Sequence, residues 1–225
     1  MNAEMADVFT GIVNQRRSIR AFRNEPVPAD LLERVFESAL RSPSNCNTQP
    51  WQVHVASGQA VENLRQVLPG CFLRGEHSLD FPYDGKYQGV YQERQYAAAN
   101  ALYEAMGIPR ADKQQRQEAL LRNFTFFGAP HVAFLFLPEP FGLREACDLG
   151  MYAQTVMLSM TAHGLASCPQ TALGFLSDPV RETLGVDASQ KLVFGISFGF
   201  EDIGADINEC ATDRGNLADF VYFHS

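Results

Sequence analysis

The densest set of chemically capable residues is Arg16-Arg17-Ser18-Ile19-Arg20. Three guanidinium groups and a hydroxyl within five residues suit a phosphate dianion, because a guanidinium fork donates two parallel hydrogen bonds to paired oxygens. The alternative is a solvated charged turn. The chain carries only 18 basic residues against 26 acidic ones, so placing three of them together disfavours that alternative. A second set is Ser42-Pro43-Ser44-Asn45-Cys46-Asn47-Thr48-Gln49-Pro50-Trp51. It is short and polar, lies between two prolines and ends at the single tryptophan. Its amides offer donor and acceptor together, which suits a heterocycle edge, though Asx turns in a plain loop would use the same residues. The third set, Gly164 to Gly174, is rich in small residues and includes Ser167-Cys168-Pro169-Gln170-Thr171-Ala172. Small side chains let a flat ligand approach backbone N–H groups; an ordinary connection between elements is the other reading. The fourth, Thr212-Asp213-Arg214-Gly215-Asn216, adds one arginine that by itself reads as a surface residue.

Other chemistries are missing. No GxGxxG follows a strand, and GxxxxGK[ST] does not occur, so dinucleotide and P-loop sites are not indicated. Five cysteines are scattered without CxxC spacing, and the five histidines stand apart from candidate ligands. Neither a metal site nor a disulfide framework is expected. No paired carboxylates stand out, so no catalytic side chain is expected; any reaction would be carried by a cofactor that the protein binds and orients.

The elements that must position these residues are read from periodicity. Residues 1–15 form a helix ending before Arg16, and Leu31–Ser42 forms another, stopped by Pro43. Residues 51–56 alternate as a strand, and Gln59–Leu68 is helical. Residues 69–90, with two prolines and four glycines, read as an irregular, mobile excursion. Helices return over 91–106 and 113–122. The apolar run 131–137 is a strand buried on both faces, and 143–162 is a long, central helix closed by Gly164. Residues 191–200 are a strand, and 217–223 a short terminal strand. Tyr96 and Phe124 are candidate walls for a ligand slot, whereas Phe126 and Phe127 read as core. Helices and strands alternate irregularly, which gives an α+β class and a single domain over 1–225.

Composition agrees with that class. The 225 residues are 46% hydrophobic and 20% charged, which excludes wholesale disorder. A folded chain of 25.0 kDa exposes roughly 10,000 Å². The net charge of −8 and the lack of a basic stripe argue against nucleic acid. No signal-like or membrane-length apolar run is present, so a cytoplasmic protein with no membrane partner is expected.

Taken together and in order, the Arg-Arg-Ser-Ile-Arg start, the 43–51 segment, the Ser-Cys-Pro-Gln turn and the Arg214 tail closely resemble the FMN-dependent nitroreductase family, specifically its bacterial nitroaromatic and nitrobenzoate reductases. The resemblance covers nearly the whole chain, with residues 69–122 the least clear part. It implies an α+β homodimer with a mainly antiparallel central sheet flanked by helices, a C-terminal strand exchanged between subunits and FMN at the interface. Arg16, Arg17, Ser18 and Arg214 would hold the phosphate and ribityl chain, and Arg20 the N1/O2 edge of the flavin. Pro43, Ser44, Asn45 and Asn47 would come from the other subunit. Pro169, Gln170, Thr171 and Ala172 would border N5, with a backbone N–H directed at it. The implied activity is reduction of nitroaromatic acceptors, with quinones as further candidates. NADH or NADPH would be the reductant, by ping-pong hydride transfer through flavin N5. Two features depart from the pattern: relatives have an acidic residue and a glycine where this chain has Gln170-Thr171-Ala172, and some have a lysine at Thr212. Reductive dehalogenation or flavin fragmentation on the same scaffold, and a non-catalytic flavin-binding module, are the competing readings.

Overall fold

A computed structural model describes residues 3–225. Seven helices and four strands are arranged around one antiparallel sheet: α1 (Ala3–Gln15), α2 (Ala29–Ala39), β1 (Gln52–Ser57), α3 (Gln59–Leu73), α4 (Val90–Ala105), α5 (Lys113–Leu121), β2 (His131–Pro138), α6 (Leu143–Ala162), β3 (Ala166–Gln170), α7 (Ser177–Leu184) and β4 (Gln190–Gly199). The sheet order is β1-β2-β4-β3, with every pair antiparallel. Because both faces of β2 are covered, His131 through Leu137 are all buried, which is why that segment reads as a continuous apolar run. Alternate residues supply two cores. Val132, Phe134 and Phe136 pack on one face with Leu64 and Leu68 of α3 and with Phe124. Ala133, Leu135 and Leu137 pack on the other with Val35, Leu149, Val156 and Met160 of α2 and α6.

Four differences from the sequence reading have physical causes. Helix α3 runs through Pro69 to Leu73, because Leu64, Leu68 and Cys71 bury one face and outweigh the lost hydrogen bond. The excursion after it is pinned rather than loose. Ser78 bridges to Leu176, and Asp80 accepts from Arg181 (Nη1–Oδ2 2.5 Å) and from the Leu192 N–H (2.7 Å). Phe124 is fully buried and belongs to the core rather than to a slot wall, as do Phe126 and Phe127. Over residues 217–223 there is no strand: a 3₁₀ turn spans Leu217–Asp219 and the rest is exposed.

His131 gives a pH test of this packing. The Val27 N–H donates to its Nε2 (2.9 Å), and Ser57 Oγ lies 2.5 Å from Nδ1, so the ring must remain neutral to accept. Burial lowers its pKa below 6.5, and does the same for His54. The unfolded state then binds more protons below that value, so stability falls as pH drops through and below ~6.5. Each histidine contributes a slope of at most about 1.4 kcal/mol per pH unit. Urea midpoints between pH 7.5 and 5.5 should show this, and His131→Gln should flatten the dependence.

Candidate functional site

The chain leaves α1 at Gln15 and is stitched along the outer edge of β3. Ser18 bridges to Ser167 in parallel, the Ile19 N–H donates to the Ser167 carbonyl (3.0 Å), and the Arg23 N–H to that of Phe200 (2.9 Å). With Ile19 buried as the anchor, its neighbours line a cavity of about 520 Å³ that includes Arg16, Ser18, Arg20, Gln154 of α6, Thr212 and Arg214. Two distant segments, 16–20 and 212–214, are therefore brought together.

The electrostatics of this cavity are one-sided. No carboxylate lines it. Among the described residues, none of Arg16, Arg20 and Arg214 forms a salt bridge. Arg214 Nη1 is steadied by the Thr212 carbonyl (2.9 Å) and hydroxyl (3.0 Å), so Thr212 orients a cation where a lysine would have added one. Arg20 Nη1 reaches only the Ser18 carbonyl, at 3.3 Å. Beneath them the Cys168 thiol is pushed up to about 11 by burial, against the opposing pull of Arg20 and Arg16. That thiol stays protonated and unreactive at neutral pH. Arg17 is different. It also lines the cavity, but its guanidinium is drawn to Glu201 (Nη2–Oε1 2.6 Å) and to the Asn208 carbonyl. In the single chain this arginine clamps the loop.

Asn208, buried in a 3₁₀ turn (Asp206–Glu209), holds the basic segment in place. Its Oδ1 accepts from the Arg20 N–H (2.8 Å) and the Ala21 N–H (3.1 Å), while its Nδ2 donates to the carbonyls of Ala21 and Asp202 (both 2.9 Å). All four side-chain hydrogen bonds of the amide are thus used to fix one turn of backbone.

The 43–50 loop is strained and braced. Cys46, Asn47 and Gln49 all have left-handed backbones (φ 51°, 55° and 48°), a conformation disfavoured outside glycine and concentrated at functional sites. The braces are the Asn45 N–H to buried Asp148 (3.1 Å), the Gln49 N–H to Ser44 Oγ (2.9 Å), and Trp51 stacked 4.9 Å from Tyr152 of α6. The tryptophan is therefore an anchor, while Pro43, Asn45 and Asn47 remain exposed and Ser44 partly so. None of the four lies on the arginine-lined cavity of the same chain.

At the end of β3, Pro169 and Thr171 are exposed and Ala172 half-buried. Gln170 is buried, with its amide turned inward to Asn123 and Ser197. Close by, Arg122 Nη2 donates to the Arg20 carbonyl (3.3 Å); burial lowers its pKa, and among the described residues no salt bridge compensates it.

The family model described as the nitroreductase family matches residues 13–200. The chain belongs to this family. It is 44% identical to the nitroreductase NfnB of Mycolicibacterium smegmatis, over 98% of this chain and 94% of that protein. The crystal structure of that FMN-dependent enzyme in complex with NADPH superposes with a TM-score of 0.95, covering 98% and 100% of the two chains. An FMN- and NADPH-dependent nitroreductase from a Sphigopyxis strain is 33% identical with a TM-score of 0.93, over 96% and 99%. The 4-nitrobenzoate reductase of Pseudomonas putida is 31% identical, over 98% and 97%.

Sequence reasoning missed the residues that position this nitroreductase-family site. Asn208, Asp148 and Ser197 are single polar residues in unremarkable surroundings. Only buried partners distant in sequence reveal their work, and a chain read on its own carries no signal of that pairing.

Proposed function

We propose that the protein is an FMN-dependent NADPH oxidoreductase that reduces nitroaromatic compounds, with quinones as further acceptors. The observation that carries this reading is the convergence of Arg16, Arg20 and Arg214 on a cavity with no carboxylate in its walls. Such a donor set fits a dianionic phosphate: two or three charge-assisted hydrogen bonds are available without first breaking an ion pair. Relatives that depend on FMN and NADPH share the fold over nearly the full chain. Bound FMN would take a hydride from the nicotinamide and deliver it to the acceptor through N5. The protein's part is to hold the phosphate with Arg16 and Arg214, to put the charge of Arg20 beside the ring system, and to offer the Thr171–Ala172 backbone to its edge. Reductant and acceptor would use one slot in turn, which gives ping-pong kinetics.

The site needs a second copy of the chain. The accessible surface is 13423 Å², about a third above the roughly 10,000 Å² of a compact monomer of this mass. Large apolar side chains are part of that exposed surface. Helix α1 buries no residue, leaving Met5 and Phe9 66% and 60% exposed, and the tail leaves Phe223 86% exposed. Patches of this kind mark association surfaces. Pro43, Ser44, Asn45 and Asn47, which do not line the cavity of their own chain, would reach the flavin of the partner, and residues 217–223 would pair with the partner's sheet. Steady-state rates with NADPH and 4-nitrobenzoate should give parallel double-reciprocal lines, and the purified protein should sediment as a yellow dimer. A colourless monomer that does not oxidise NADPH would refute this function.

A further inference from the structure

We infer that Gln170 is a positioning residue: its buried side chain fixes the Thr171–Ala172 backbone that, on the reading above, borders the flavin. Three of the four hydrogen-bonding positions of the carboxamide are used. Nε2 donates to the Asn123 carbonyl (2.9 Å) and to Asn123 Oδ1 (3.2 Å), and Oε1 accepts from the fully buried Ser197 hydroxyl. The side chain thereby ties three elements together: the end of β3, the turn after α5 and the middle of β4. That turn is itself fastened to the basic segment by Arg122, which donates to the Arg20 carbonyl. The far end of the 3₁₀ turn Thr171–Phe175 is held by contact. A Cβ on Gly174 would come within 2.7 Å of the Val193 carbonyl oxygen, and one on Gly195 within 2.5 Å of Leu173 Cδ1. A backbone fixed at both ends has little freedom to follow a ligand, so its N–H groups are aimed before anything binds.

The chemistry gives this aim a signature. A backbone N–H in the plane of the ring can donate to a ring nitrogen only while that nitrogen has an in-plane lone pair; oxidised flavin N5 has one, whereas reduced N5 carries a hydrogen in its place. Loosening the turn should therefore weaken oxidised FMN more than reduced FMN. Loss of one hydrogen bond of ordinary strength corresponds to about a tenfold effect.

The test measures the affinities of oxidised and anaerobically reduced FMN for the dimer, in wild type and in Gln170→Ala, Gln170→Met and Ser197→Ala, alongside melting temperature. Gln170→Ala should bind oxidised FMN about tenfold more weakly and reduced FMN less than threefold so. Gln170→Met keeps the volume without the hydrogen bonds; it should recover melting temperature but not that ratio. Ser197→Ala removes one partner outside the binding machinery, should shift the ratio in the same direction by a few-fold, and carries the test if the Gln170 variants do not fold. Equal weakening of both redox states, or no change in either, would overturn the positioning role while leaving the functional assignment intact. A wild type that binds neither form of FMN would overturn both.

Discussion

Arg16→Ala lowers FMN affinity by 10- to 100-fold and leaves the fold intact. A hydrogen bond to a charged group contributes roughly 1.5–3 kcal/mol, which converts to that range. Among the described residues Arg16 has no salt-bridge partner to lose, so its removal costs the folded apoprotein little and relieves repulsion from Arg20 and Arg214 across the cavity. Melting temperature without FMN should be unchanged or slightly raised, while the stabilisation conferred by added FMN shrinks. Arg17→Ala should behave in the opposite way: it breaks the contact with Glu201 and the Asn208 carbonyl, so it should loosen the loop more than it weakens phosphate binding. Fluorescence titration of the flavin, paired with thermal melts of the apoprotein, separates the two effects.

Asp80→Ala destabilises the protein by about 3–5 kcal/mol, the usual cost of stranding one member of a buried ion pair. Arg181 and Asp80 are 9% and 8% exposed and meet through two bonds (2.5 and 3.1 Å). Arg181 also donates to the Gln190 carbonyl (3.0 Å), and Asp80 accepts from the Leu192 N–H (2.7 Å). The alanine leaves a buried guanidinium and an orphaned strand N–H, and it releases the segment after α3 from β4. For a chain of this length the melting temperature should fall by roughly 6–20 °C. Asp178 also touches Arg181 but is 61% exposed, so Asp178→Ala should cost under ~1 kcal/mol. Urea denaturation of both variants checks the contrast.

How much of this was legible in the sequence depended on where the determining forces act. Strand β2 is legible nearly to the residue because its unbroken apolar run records burial directly, and helix α6 because apolar residues recur along its whole length up to Gly164. Strand β3, Ala-Ser-Cys-Pro-Gln, carries no alternation; its extended form is imposed by β4 on one side and the Ser18 bridge on the other. Helix α7 was overlooked although Ser177-Asp178-Pro179 opens it and Gly185 closes it in a left-handed cap, signals that a length-based reading passes over in eight residues. A terminal strand is expected from β-prone residues alone, yet a strand needs a pairing partner, and among the described residues 217–223 pair with no strand. The site divides in the same way. Arginine density leads one to expect an anion-binding segment, and the structure brings Arg16, Arg20 and Arg214 to one cavity, but the inward turn of Gln170 and the clamp at Asn208 depend on partners far away in sequence.

Equilibrium binding of FMN and of riboflavin to the apoprotein is the most direct test. If guanidinium groups grip a phosphate, wild type should prefer FMN over riboflavin by about 100-fold or more, and Arg16→Ala should narrow that preference by at least tenfold while riboflavin affinity barely moves. Equal affinity for the two flavins, or an undiminished preference in Arg16→Ala, would contradict the account.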